Sequence, residues 1–184
     1  MSPTAKSRPT KTKVAGVVLP ARPSIYEINA RLWLSELSRL YGEPITLGNV
    51  PADIWDGLRG FRFDAIWFMG VWERSPAGLA MALQNETRRQ AFAAALPDAR
   101  HDDIAGSPYC VRDYVVDESL GGRAGLAAAR AELATRGMGL ILDFVPNHVA
   151  PDHPWIHDHP EYFIRGTVEE LAAAPGEFFD AGDA

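Results

Sequence analysis

This 184-residue sequence predicts an α/β fold with parallel strands, on three observations. The runs Phe63-Asp-Ala-Ile-Trp-Phe-Met69 and Met138-Gly-Leu-Ile-Leu-Asp-Phe-Val145 are almost continuously apolar, the pattern of strands buried on both faces. Stretches with apolar residues at helical spacing lie before and between them. The order strand, helix, strand, long excursion, helix, strand is that of crossover units, which place strands side by side and parallel.

Taken in order, Ile25-Tyr-Glu-Ile-Asn29 reads as the first strand. Leu32–Tyr41 has Leu34, Leu37, Leu40 and Tyr41 on one face and stops before Gly42, a helix with its usual terminator. Pro51–Leu58 is a second helix with proline in its first turn. After the 63–69 strand, Pro76–Leu96 is helical around Leu79, Leu83 and Phe92, broken near Gln84-Asn85 and stopped by Pro97. The stretch from Gly106 to Gly122 reads as loop, Arg123–Arg136 as an Ala-rich helix closed by Gly137, and 138–145 as the third strand. A short helical turn is expected at 171–174.

Composition narrows the function classes. Charged residues are 23% and hydrophobic ones 47% of the chain, a globular mixture long enough to bury a core. A net charge of −6 argues against nucleic acid as the main partner. One cysteine, Cys110, excludes an internal disulfide framework and a multi-cysteine metal site. No apolar run approaches the roughly 18 residues that would span a membrane. Residues 1–24 hold Lys6, Arg8, Lys11, Lys13 and Arg22 and no acid, and are expected to be a disordered basic tail. Val14–Leu19 has the outline of a signal peptide but is short, ends at Pro20 and lacks a clean cleavage site, so a cytoplasmic location is expected.

Sites in parallel α/β folds form at the carboxyl ends of strands. The richest such place here is Asp143-Phe-Val-Pro-Asn-His148. An acid in an apolar strand is costly to bury without partners, so Asp143 is either chemical or a strand-end acid with Asn147 capping the next loop. Downstream, His148, His153, His157 and His159 stand with Asp152 and Asp158 among three prolines. Imidazole and carboxylate suit Zn2+ or Fe2+; the plainer alternative is a polar surface loop with Trp155 packed underneath. In Gly106-Ser-Pro-Tyr-Cys-Val-Arg-Asp-Tyr114, Tyr109 could offer a flat face on which the apolar C–H patch of a sugar stacks, or it could pack in the loop. Cys110 beside it has no evident local base to make it a nucleophile.

Asp143-Phe-Val-Pro-Asn-His148 resembles the first conserved region of the α-amylase family of glycoside hydrolases (family thirteen), which follows the third strand of their (β/α)8 barrel. The 63–73 stretch looks like that family's second strand and its exit. Ser107–Tyr114 followed by Gly121-Gly122 is similar to the segment before the second barrel helix, and His153-Pro-Trp155 matches a common continuation. The resemblance implies a partial (β/α)8 barrel: first β/α units over 25–150, and the start of the long loop or inserted domain after strand three over 151–184. It implies a glycosidase or transglycosidase of carbohydrate metabolism, acting on an α-glucan or oligosaccharide by retaining double displacement. Tyr109 would be the aromatic platform under the sugar and His148 would hydrogen-bond a hydroxyl of that sugar. Asp143 would be a buried structural acid orienting an arginine on the next strand. No cofactor is expected to be required, although Asn147 matches a Ca2+ ligand of many members.

The family's nucleophile, acid/base and third acid follow later strands, and its fourth-strand Gly-x-Arg-x-Asp pattern is not found after the third strand at 138–145. No catalytic residue is therefore assigned. The expectation is an N-terminal portion, incomplete and inactive alone, that needs the rest of the barrel. Two other classes stay open on the residues: a non-catalytic carbohydrate-binding or interaction module, and a small metal-dependent hydrolase built on the His148–His159 cluster.

Overall fold

The structure, a computed structural model, describes residues 16–98, 104–178 and 180–181. Three strands, β1 (Ile25–Asn29), β2 (Ala65–Met69) and β5 (Gly139–Leu142), form a parallel sheet in the order β1-β2-β5. Tyr26, Ile66 and Leu140 lie in register, as do Ile28, Phe68 and Leu142. Alternation along a strand puts these six on one face. Against that face pack Leu34 and Leu37 of α1 (Ala30–Tyr41), Trp55 and Leu58 of α2 (Ala52–Gly60), and Ala129 and Leu133 of α5 (Gly122–Thr135). The opposite face carries Glu27, Trp67 and Ile141 in one row. Among the described residues no helix is long and apolar enough to cross a membrane.

Local chemistry explains the element ends. The Asn29 side chain accepts from the Leu32 N–H and caps α1, whose far end closes at Gly42 in the left-handed region. The expected break at Gln84-Asn85 divides α3 (Pro76–Gln84) from α4 (Glu86–Ala95). There the Asn85 side chain accepts from the Arg88 N–H and starts the second helix. The expected turn at 171–174 is a short helix, Val168–Ala173, opened by a reciprocal Thr167–Glu170 cap.

Two readings are corrected. The expected loop 106–122 contains β4 (Val111–Val116), which pairs antiparallel with β3 (Trp72–Arg74). This ribbon has irregular register and joins segments far apart in sequence, so no local periodicity announces it. The third strand ends at Leu142 rather than Val145. Its only neighbour among the described residues, β2, stops at Met69, and beyond that row Asp143 turns to other partners.

Residues 1–15 of the expected tail lie outside the described residues. Within 16–24, the Leu19 side chain lies close over Gly139 at the amino end of the sheet. The Ser24 N–H and hydroxyl both donate to the Asp64 carboxylate.

Candidate functional site

The carboxyl ends of β1, β2 and β5 lie side by side, and Asp143 stands next to Met69 in the extended register. Asp143 is 7% exposed. Its Oδ1 accepts from the Trp67 indole at 2.8 Å and its Oδ2 from the Gly70 N–H at 2.6 Å, while its carbonyl accepts from the Trp72 indole at 2.9 Å. Trp67 shares the sheet face of Asp143, so its ring edge reaches one row along. The Tyr114 hydroxyl accepts from the Val145 N–H at 2.8 Å and donates to its carbonyl at 3.2 Å. The ring of Tyr114 packs between Trp72 and Phe144. Residues 143–145 are thus clasped by side chains from β2, β3 and β4.

Tyr109 is 40% exposed beside this clasp. Partial desolvation, then the negative charges of Asp143 and Glu27, push its phenol above the usual range and keep it neutral. Its carbonyl lies 3.1 Å from His148 Nε2. A carbonyl only accepts, so Nε2 carries the proton and Nδ1 is free to accept from the Asn147 amide at 2.8 Å. Both ring nitrogens of His148 therefore have protein partners, and the imidazole holds the Tyr109 backbone in place. Arg74 adds a third tie, donating to the Gly106 carbonyl at 3.1 Å. Burial, and the charge of Arg31 nearby, pull its guanidinium down, against Asp117.

The histidines downstream do not converge. His153 is 2% exposed, with Nδ1 accepting from the Trp155 N–H at 3.1 Å and Nε2 buried without a hydrogen-bond partner among the described residues. His159 stacks on Tyr162 and meets Glu161, and His157 is exposed. Trp155 is 45% exposed, so the residue packed underneath this loop is His153 and not, as expected, the tryptophan. Among the described residues no three of His, Cys, Asp or Glu could hold a metal together. Asn147, the residue matched to a Ca2+ ligand, is exposed, and its amide donates to His148 Nδ1. The loop is fixed instead by Asp152, which accepts from the Ser75 hydroxyl at 2.5 Å and the Ala77 N–H at 3.2 Å at the start of α3. Burial raises the Cys110 thiol, opposed by Ser75 and assisted by Asp152, which keeps it protonated.

His153 predicts a pH dependence. Burial, with Arg112 adding a smaller push, holds its imidazole below the ordinary 6.5, while Asp113 and Asp152 pull the other way. Below about 6.5 the unfolded chain binds the proton more readily than the folded one, so stability falls as pH falls through that region. Protonating Nδ1 also removes the acceptor for Trp155. The melting temperature should therefore drop between pH 7 and pH 5. The drop should be smaller in His153→Gln, which keeps an acceptor but does not titrate; equal drops in both proteins would refute the assignment.

Sequence reasoning named Asp143, Tyr109 and His148, and the fold brings these three together. It missed Gly70, Trp72 and Arg74 as their supports and did not connect Trp67 with Asp143. A donor pointing sideways from a strand is visible only once the pairing is known.

No family model matches this chain. Over 52 residues it is 38% identical to alpha-1,4-glucan:maltose-1-phosphate maltosyltransferase 2 of Streptomyces coelicolor, covering 27% of this chain and 8% of that one. Over 86 residues it is 31% identical to alpha-1,4-glucan:maltose-1-phosphate maltosyltransferase of Rhodospirillum rubrum, covering 42% and 12%. The chain thus matches only a small part of the length of these relatives. Its fold is similar to that of the noncanonic maltogenic alpha-amylase AmyB from Thermotoga neapolitana, with a TM-score of 0.52 at 22% identity over 78% of this chain and 28% of that one. The fold is thus similar to part of an alpha-amylase, and short stretches of the sequence are similar to two maltosyltransferases.

Proposed function

We propose that these residues form the sugar-holding part of an α-glucan-acting site of the α-amylase type, with the sheet as the first part of its barrel. The observation that carries this reading is the half-exposed Tyr109 ring at the strands' carboxyl ends, its backbone held by His148 and its phenol in the field of Asp143. The names of the two maltosyltransferase relatives, which specify α-1,4-glucan and maltose-1-phosphate, support it.

In this reading Tyr109 takes the apolar face of one glucose unit and fixes the height and tilt of the ring. Asp143 keeps the β5 exit in place beneath it. Retaining glycosidases break the bond with two carboxyl groups about 5–5.5 Å apart, one attacking the sugar carbon and the other protonating the leaving oxygen. No residue of this chain is assigned either role; further barrel strands would supply both. His148 reaches a sugar hydroxyl by giving up its bond to the Tyr109 carbonyl or to the Asn147 amide, so substrate would have to compete with one of them.

Titration of the chain with maltoheptaose, followed by NMR, tests the platform. Tyr109→Ala is expected to weaken binding about five- to tenfold, the loss of one aromatic stacking contact. Equal affinity in the two proteins, or no binding by the parent chain, would sink it.

A further inference from the structure

The segment that presents Tyr109 rests on a residue with no side chain. Gly70 follows β2 with φ +78, in the left-handed region that favours glycine. A Cβ placed there would lie 2.8 Å from Pro108 Cβ and 3.0 Å from Arg74 Nη2. Pro108 immediately precedes Tyr109, and Arg74 holds the Gly106 carbonyl. Pro108 of the 106–109 segment and Arg74, which supports that segment, therefore both lie against the space that Gly70 leaves open. The same residue donates its N–H to Asp143 Oδ2. Gly70 touches the clasp on one side and the Tyr109 segment on the other.

We infer that Gly70 is a positioning residue for the sugar platform: its missing side chain sets how deeply Pro108 sits, and so where the Tyr109 ring meets the substrate. The role in substrate binding rests on the proposed function above; the mechanical role does not. An added methyl must push Pro108 outward, because the proline ring is rigid and cannot turn aside. Arg74 would be displaced in the same step.

Gly42 supplies the control. It also has a left-handed φ, +71, at the end of α1, but a Cβ there would meet nothing within 4 Å. Gly42→Ala carries backbone strain without touching the Tyr109 segment. Gly70→Ala carries the strain and the collision.

The test compares both variants with the parent chain by maltoheptaose titration and by native-state exchange of the Cys110 amide, which donates to the Ser107 carbonyl at 3.2 Å. Gly70→Ala is expected to weaken binding about tenfold and speed that exchange about tenfold, whereas Gly42→Ala changes neither by more than about twofold. The inference is overturned if Gly70→Ala behaves as Gly42→Ala does in both measurements. If the parent chain binds no maltoheptaose but Gly70→Ala alone still frees the Cys110 amide, the platform reading fails and the mechanical role stands. If Gly70→Ala does not fold, Pro108→Gly removes the contact from the other side. Faster Cys110 exchange then supports the inference, and unchanged exchange overturns it.

Discussion

Asp143→Ala is expected to lower the unfolding free energy by about 3–5 kcal/mol, the scale of removing one partner from a buried, charge-bearing set of hydrogen bonds. The carboxylate accepts from two donors, the Trp67 indole and the Gly70 N–H, and both lose their acceptor once the acid is gone. Asp143→Asn should recover little. Its single side-chain oxygen can serve one donor, and its NH2 group then faces the other, donor against donor. Urea midpoints with unchanged slope would show the loss as stability alone. A cost below about 1 kcal/mol for Asp143→Ala would mean that the exits of β2 and β5 hold together without the clasp.

Trp55→Ala is expected to cost a similar amount, about 3–5 kcal/mol, through a different cause: a large cavity in the core. Trp55 is almost fully buried, edge-on to Trp33 at 5.6 Å and to Phe68 at 6.3 Å, and it links α1, α2 and β2. Its indole donates to the Val50 carbonyl at 3.2 Å. Trp55→Phe keeps most of the ring volume but orphans that carbonyl, and should cost about 1–3 kcal/mol. Chemical denaturation of the two variants separates cavity from hydrogen bond. Near-equal losses would show that the lost bond, not the lost volume, dominates.

The contrast between these two residues shows what the sequence could disclose. Trp55 lies in a helical apolar pattern, and its burial follows from spacing alone. β1, the α1 terminus at Gly42 and the break at Asn85 were legible for the same reason: strand periodicity, a left-handed glycine and a capping amide are signals within a few residues. β4 was not legible, because its partner β3 lies across the whole α3–α4 excursion. Within the site, Asp143, Tyr109 and His148 were found through motif order. The indole of Trp67 was not, since its bond to Asp143 spans 76 residues of sequence and depends on which sheet face each strand presents. The loop after β5 shows the same limit in reverse: one reading packed Trp155 underneath it, whereas His153 is the buried residue.

The Asp143 clasp sets one formal charge against two neutral donors, an indole and a backbone amide. An ion pair such as Arg112–Glu73, exposed at its edge, weakens as added electrolyte screens it. A carboxylate held by dipoles in a dry setting has no counter-ion to lose. The anion at the centre of this site should therefore keep its geometry in brine as in dilute buffer, so the shape of the site does not vary with the ionic strength around it.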